Sequence, residues 1–166
     1  DNQVQILDYN RVVQDLNGLT VSEFLKGVAQ SFDIQSCHQA VKPQQNGEFS
    51  MFLNGQWYQL NCHPNKIPTH DPVQSLDVNL LTNHLLEPIL GISDLRRDKR
   101  IDFVGGIRGL AELEKRVLGG MAVAFALYPT QVQELIAVAD ARQMMPPKST
   151  WFEPKLADGI VSHLLD

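Results

Sequence analysis

The residues best suited to chemistry lie near the carboxyl end, in Met145-Pro146-Pro147-Lys148-Ser149-Thr150-Trp151-Phe152-Glu153-Pro154-Lys155. An ammonium followed by two hydroxyls, Lys148, Ser149 and Thr150, offers positive charge and hydrogen-bond donors to a phosphate or carboxylate. The segment is not a P-loop, because it lacks the earlier glycines that let backbone amides wrap a phosphate. Its other reading is a turn between a helix and a last strand, with Trp151 and Phe152 packing into the core. A second candidate is Gly105-Gly106-Ile107-Arg108-Gly109, where amides at a helix start could hold an anion and Arg108 would strengthen the site. The dinucleotide fingerprint fails there: Phe103 stands where its first glycine would be, and residue 125 is Phe rather than an acid. A tight turn into a helix explains the same glycines.

A third candidate, Tyr9-Asn10-Arg11, sits by a strand end, where sheet proteins commonly bind ligands. Arg11 could clamp an anion bidentately, cover the sheet edge, or pair with Asp15. Asp77 and His84, on one face of a predicted helix, could orient a ligand or move a proton; a capping acid and a partly buried histidine would look the same. Cys37-His38, Cys62-His63 and His70 invite a zinc reading, but neighbouring strand residues point to opposite faces and no C-x-x-C or H-x-x-x-H spacing occurs. Two buried thiols with surface histidines are expected instead. G-x-S-x-G is absent.

The elements that must position these groups follow from pattern. Val4 to Leu7 reads as a strand running into an irregular turn at Tyr9-Asn10-Arg11-Val12-Val13. Thr20 and Glu23 form a capping box for a helix bearing Val21, Phe24, Leu25 and Val28. A strand is predicted over Phe32 to Cys37, then a hairpin: Phe49, Met51 and Leu53 recur at every second position, Asn54-Gly55 turns, and Trp57 to Leu60 returns. Ser75 is expected to cap a helix carrying Leu76, Leu80, Leu81 and Leu85, with Pro88 bending or ending it. Ile101 to Val104 is a short strand, Leu110 to Leu118 a helix closed by Gly119-Gly120, and Met121 to Leu127 a strand covered on both faces. Pro129-Thr130 opens a helix with Val132, Leu135, Ile136 and Ala139, and Gly159 to Leu165 suggests a last strand.

The chain has 166 residues, 43% hydrophobic and 20% charged, which fits one packed domain rather than disorder. A net charge of −5 argues against a nucleic-acid partner. Two cysteines are too few for a secreted disulfide framework, Asp1-Asn2-Gln3 does not resemble a signal peptide, and Met121 to Tyr128 falls short of the ~20 apolar residues that span a bilayer. A cytoplasmic protein without membrane association is the expectation. Because it begins at Asp1 and soon enters a strand, the chain is expected to be a piece of a longer polypeptide.

Several stretches closely resemble the prokaryotic family catalogued as domain of unknown function 1015. They are Leu76-Asp77-Val78, Leu86 to Ile92, Phe103-Val104-Gly105-Gly106, Ala124 to Thr130, and Met145 to Lys155, the last resembling the family's C-terminal signature. Tyr9-Asn10-Arg11-Val12-Val13 through Asn17-Gly18 is also similar, with Tyr9-Asn10 standing where that strand often reads Thr-His. Members are longer, with an Asp-Gly-His-His-Arg motif upstream, so the resemblance implies that this is the C-terminal domain of such a protein. The family's N-terminal region resembles the ParB-like group, which includes free-serine kinases. By that analogy the whole protein would be a small-molecule phosphotransferase.

Together these readings predict a single α/β domain bordering on α+β: a mixed sheet with a central β-hairpin and helices packed on it. Its expected role is an anion-binding wall built from Lys148, Ser149, Thr150, Arg11, Asn10 and Arg108, completed by the protein's own N-terminal domain, with a small anionic ligand as partner. No metal is expected, and no cofactor is named by any motif. The alternative is a non-catalytic interaction module, pairing with that domain or with a second copy of itself.

Overall fold

The computed structural model describes residues 4–154. In chain order its elements are β1 (Gln5–Leu7), β2 (Tyr9–Val13), α1 (Val21–Val28), β3 (Phe32–Cys37), β4 (Glu48–Leu53), β5 (Gln56–Cys62), α2 (Asp77–Leu81), β6 (Ile101–Gly105), α3 (Gly109–Leu118), β7 (Val123–Leu127), α4 (Val132–Asp140) and β8 (Trp151–Glu153). The strand expected at Gly159 to Leu165 lies outside the described residues.

Six strands form one sheet in the order β3-β5-β4-β7-β2-β6. The hairpin at its heart is the one predicted: Asn54 (φ 51°) and Gly55 (φ 76°) are both left-handed, as a type I′ turn requires, and Leu53 faces Gln56. Where the sequence leaves the sheet mixed, every pairing is antiparallel, so the domain settles as α+β. The reason lies in β2. It pairs with both β6 and β7, so the two strands joined through α3 run alongside each other only with an antiparallel strand between them. The irregular turn expected at Tyr9 to Val13 is therefore an inner strand. Buried polar side chains, Asn10 and Arg11, hide its period from a hydrophobicity reading.

Both faces of the sheet are covered. Along β7, Val123, Phe125 and Leu127 join the larger core, while Ala124 and Ala126 face the smaller one. The larger core packs Phe49, Met51 and Leu60 under Phe24 and Val28 of α1 and under Leu80, Leu81, Leu85 and Leu86. The smaller sets Leu113 of α3 against Val12, Phe52, Trp57 and Val104. Burying a side chain such as Phe49 or Leu60 contributes about 1.5–3 kcal/mol, so these faces hold the strands, and with them the site, in place.

Helix α1 carries its capping box: the Glu23 amide donates to Thr20 Oγ1 (3.1 Å), and Glu23 Oε1 accepts from the Thr20 amide (3.0 Å). Helix α2 departs from expectation. It starts at Asp77 after Leu76, Ser75 caps nothing, and residues 82–86 widen into a π-turn in which the Glu87 amide reaches Thr82 O (2.9 Å). Pro88 supplies the cause, since its ring would clash with the carbonyl four residues earlier in a regular α-helix. In α4 the buried side is shifted from the expected stripe: Val138 is buried and Leu135 partly so, while Val132, Ile136 and Ala139 are exposed. The helix also begins later than Thr130, with the Gln131 amide donating to Glu134 (2.7 Å).

A separate two-stranded ribbon joins the two ends of the described chain. Strand β8 pairs antiparallel with β1, Gln5 opposite Glu153 and Leu7 opposite Trp151. Cys62 is buried as expected, but Cys37 is only partly so. Among the described residues no helix is long and apolar enough to cross a membrane.

Candidate functional site

Strand β2 delivers Tyr9 and Arg11 to one face of the sheet and Asn10 to the other. Opposite Arg11 on β6 stands Phe103, and opposite Tyr9 stands Gly105. Tyr9 packs edge-on against Phe103 (centroids 5.7 Å apart) and against Trp151 of β8 (5.3 Å). The Gly105-Gly106 pair makes this assembly possible by its lack of side chains. A Cβ on Gly105 would lie 2.8 Å from the Trp151 ring, and one on Gly106 would lie 1.9 Å from Asp8 Oδ1. The glycines thus serve close approach, and the Gly106 amide donates to the Asp8 carbonyl (2.7 Å). That favours the tight-turn reading of the Gly-Gly motif.

Arg11 is completely buried. Its guanidinium lies over the Phe103 ring (5.1 Å to the centroid), with Tyr9 at 5.9 Å. One terminal nitrogen donates to the Tyr9 carbonyl and the other to the Lys148 carbonyl (2.6 Å), while Nε has no partner among the described residues. Burial lowers its pKa to about 10, offset in part by Tyr9. Asp15, the acid offered to it by sequence, instead faces Arg100 at 3.5 Å.

Lys148 arrives from the other end of the chain. Its φ of 58° marks a left-handed bend in the loop, which the Arg11 hydrogen bond holds. The exposed ammonium lies over the same two rings as Arg11, 5.3 Å from Phe103 and 6.0 Å from Tyr9. Ser149 is buried: its hydroxyl donates to Pro146 O (2.8 Å) and its carbonyl accepts from Thr130 Oγ1 (3.0 Å). Thr150 is half-buried beside it. Arg11, Lys148, Ser149 and Thr150 are thus gathered into one neighbourhood around Tyr9. Trp151 and Phe152, expected as core plugs, are half-buried on β8.

The other two anion-site candidates stand apart. Asn10 is buried on the opposite face, with its amide donating to Asp8 (2.8 Å) and accepting from the Leu127 amide (3.0 Å). Arg108 is largely exposed after β6 and faces Glu112 at 3.5 Å. Asp77 and His84 have separate partners: Asp77 accepts from the Gly47 amide (2.8 Å), and His84 contacts Lys66 O (2.9 Å). Among the described residues no three metal-ligating side chains converge. The aromatic pair Tyr9 and Phe103, which sets the geometry of both cations, is not singled out by the sequence. Its register across β2 and β6 is invisible to any reading that makes β2 a turn.

The family model described as "Protein of unknown function (DUF1015)" matches residues 1–79. Over those residues the chain is similar to the DUF1015 family. The match covers Tyr9-Asn10-Arg11 and ends just beyond Leu76-Asp77-Val78, so it bears on the first half of the chain rather than on the C-terminal signature. No curated protein matches the chain. Among solved structures, free serine kinase in complex with AMP superposes with a TM-score of 0.54 at 11% identity, covering 91% of this chain and 54% of that one. A variant of free serine kinase in complex with ADP gives a TM-score of 0.54 at 10% identity, with the same coverage of 91% and 54%. This likeness is one of fold, and the chain spans about 54% of the length of those structures.

Proposed function

We propose that this chain supplies the anion-binding wall of a small-molecule phosphotransferase, with Lys148 as the exposed cation and Arg11 as the buried one behind it. The observation that carries the reading is that Arg11 and Lys148, 137 residues apart in sequence, lie over the same two rings, and neither pairs with a carboxylate among the described residues. Burying a guanidinium without a counter-charge costs several kcal/mol, a cost that an arriving anion offsets. Ser149 and Thr150 follow Lys148 in the same loop, with the Ser149 hydroxyl bonded to Pro146 O (2.8 Å). Free serine kinase shares the fold and was solved with AMP and ADP, which agrees with a phosphate-bearing ligand here. Phosphoryl transfer relies chiefly on positioning and charge stabilisation, so a lysine of this kind contributes without acting as a nucleophile. The rest of the cleft, and the reacting groups, come from a domain beyond this chain, and this chain by itself is catalytically inert.

The test is calorimetric titration of the whole protein with inorganic phosphate, AMP and ADP. Lys148→Ala is expected to weaken binding about tenfold or more, the value of one charge-assisted hydrogen bond. Unchanged affinity in that variant refutes the assignment.

A second reading, an interaction module, is favoured by one observation: Val132 and Ile136 are 55% and 53% exposed, one turn apart on α4. If that face is a contact between copies, light scattering will show a dimer that Val132→Asp dissociates.

A further inference from the structure

Beside Tyr9 lies a feature the anion reading does not use. A cavity of about 10 Å³ has Asp77, Glu134, Tyr9, Tyr128, Thr130 and Ser149 on its walls, the rest of which is aliphatic. That is room for a single water-sized group. Asp77 is 7% exposed, and only one of its carboxyl oxygens is satisfied: Oδ1 accepts from the Gly47 amide (2.8 Å), while Oδ2 is buried with no partner among the described residues. An unpartnered buried carboxylate oxygen is costly and calls for a proton, a donor or a cation. Burial, helped by the nearby Glu134 carboxylate and opposed by the Gly47 amide, raises its pKa to about 7. Cys62 on β5 feels the same charge, its thiol being pushed up to about 11 by burial and by Asp77 against the pull of Lys66. Two carboxylates of like sign at one recess, one of them with a bare oxygen, favour an occupant that is positive. Its size limits that occupant to one small ion or to the head of a slender one.

We propose that the Asp77 recess, which Thr130, Tyr128 and Glu134 also line, binds one ammonium-type cation that donates to Asp77 Oδ2. Two sources share this chemistry, a free ammonium ion and the primary ammonium of an organic molecule. Potassium, of similar size, is the non-donating control. The inference stands independently of the anion site, because it is read with chloride as the common anion and needs nothing bound at Lys148.

The experiment follows thermal unfolding of the chain at pH 8, where Asp77 is mostly ionised, at constant ionic strength in tetramethylammonium chloride, whose cation is too large for the recess. Replacing part of that salt by ammonium chloride is expected to raise Tm by about 3–5 °C at ten times the dissociation constant. A matching rise with methylammonium assigns the site to organic amines, and a rise with ammonium alone assigns it to the free ion. Asp77→Asn keeps an acceptor for the Gly47 amide and is expected to fold but to lose the response. A second measurement, the signal of bound ¹⁵N-ammonium, is expected in the native protein and absent from the variant. The proposal is overturned if ammonium and tetramethylammonium give the same Tm, if potassium matches ammonium, or if Asp77→Asn responds as the native chain does.

Discussion

Replacing Asp77 by Asn offers a direct measure of what burying that carboxyl costs. Its pKa rises from 3.8 to about 7 in the folded protein. The folded state therefore holds a proton that the unfolded chain releases, and stability falls as pH rises from about 4 to about 7, then levels off. A rise of about three on the pH scale, at about 1.4 kcal/mol for each tenfold change, sets an upper limit of about 4 kcal/mol. Relaxation around the partly open recess reduces this to about 2–3 kcal/mol. Asp77→Asn removes the titration while keeping the Gly47 hydrogen bond. The variant should thus gain about 2–3 kcal/mol relative to the native chain between pH 4.5 and pH 8. Urea midpoints at pH 4.5, 6 and 8, with tetramethylammonium chloride as the salt, measure this difference. Acids held low by surface partners, Asp98 beside Arg100 and Glu112 beside Arg116, push stability the other way at acid pH. They are common to both proteins and cancel in the comparison. A difference that stays constant across the range would refute the reasoning.

Two further outcomes test the scaffold around the site. Gly106→Ala puts a methyl 1.9 Å from Asp8 Oδ1, so it should cost about 2–4 kcal/mol by chemical denaturation, with Asp8→Ala restoring part of the loss. Thr20→Ala removes the capping bond to the Glu23 amide and should cost about 1 kcal/mol, whereas Thr20→Ser should be nearly neutral by the same measurement.

Local signals carry much of the fold. The capping box at Thr20, the Asn54-Gly55 hairpin and the doubly covered Val123–Leu127 strand are all legible, because each depends on residues close in sequence. What escapes depends on partners far along the chain. Strand β2 holds its place through pairing on both sides, while its buried Asn10 and Arg11 look like loop residues. The grouping of Lys148 with Arg11 is legible as a coincidence of charge, but the rings that align them are not. Asp77 stands out in the sequence for its spacing to His84. Its bare oxygen emerges only when Gly47, Thr130 and Glu134 close around it.

The ribbon that pairs Gln5 with Glu153 has a consequence for how the molecule is extended. A polypeptide fused ahead of β1 and one fused behind β8 would leave from the same corner, within reach of Tyr9 and Lys148. The ribbon thus ties the first and last described strands together beside the two cations, Arg11 and Lys148.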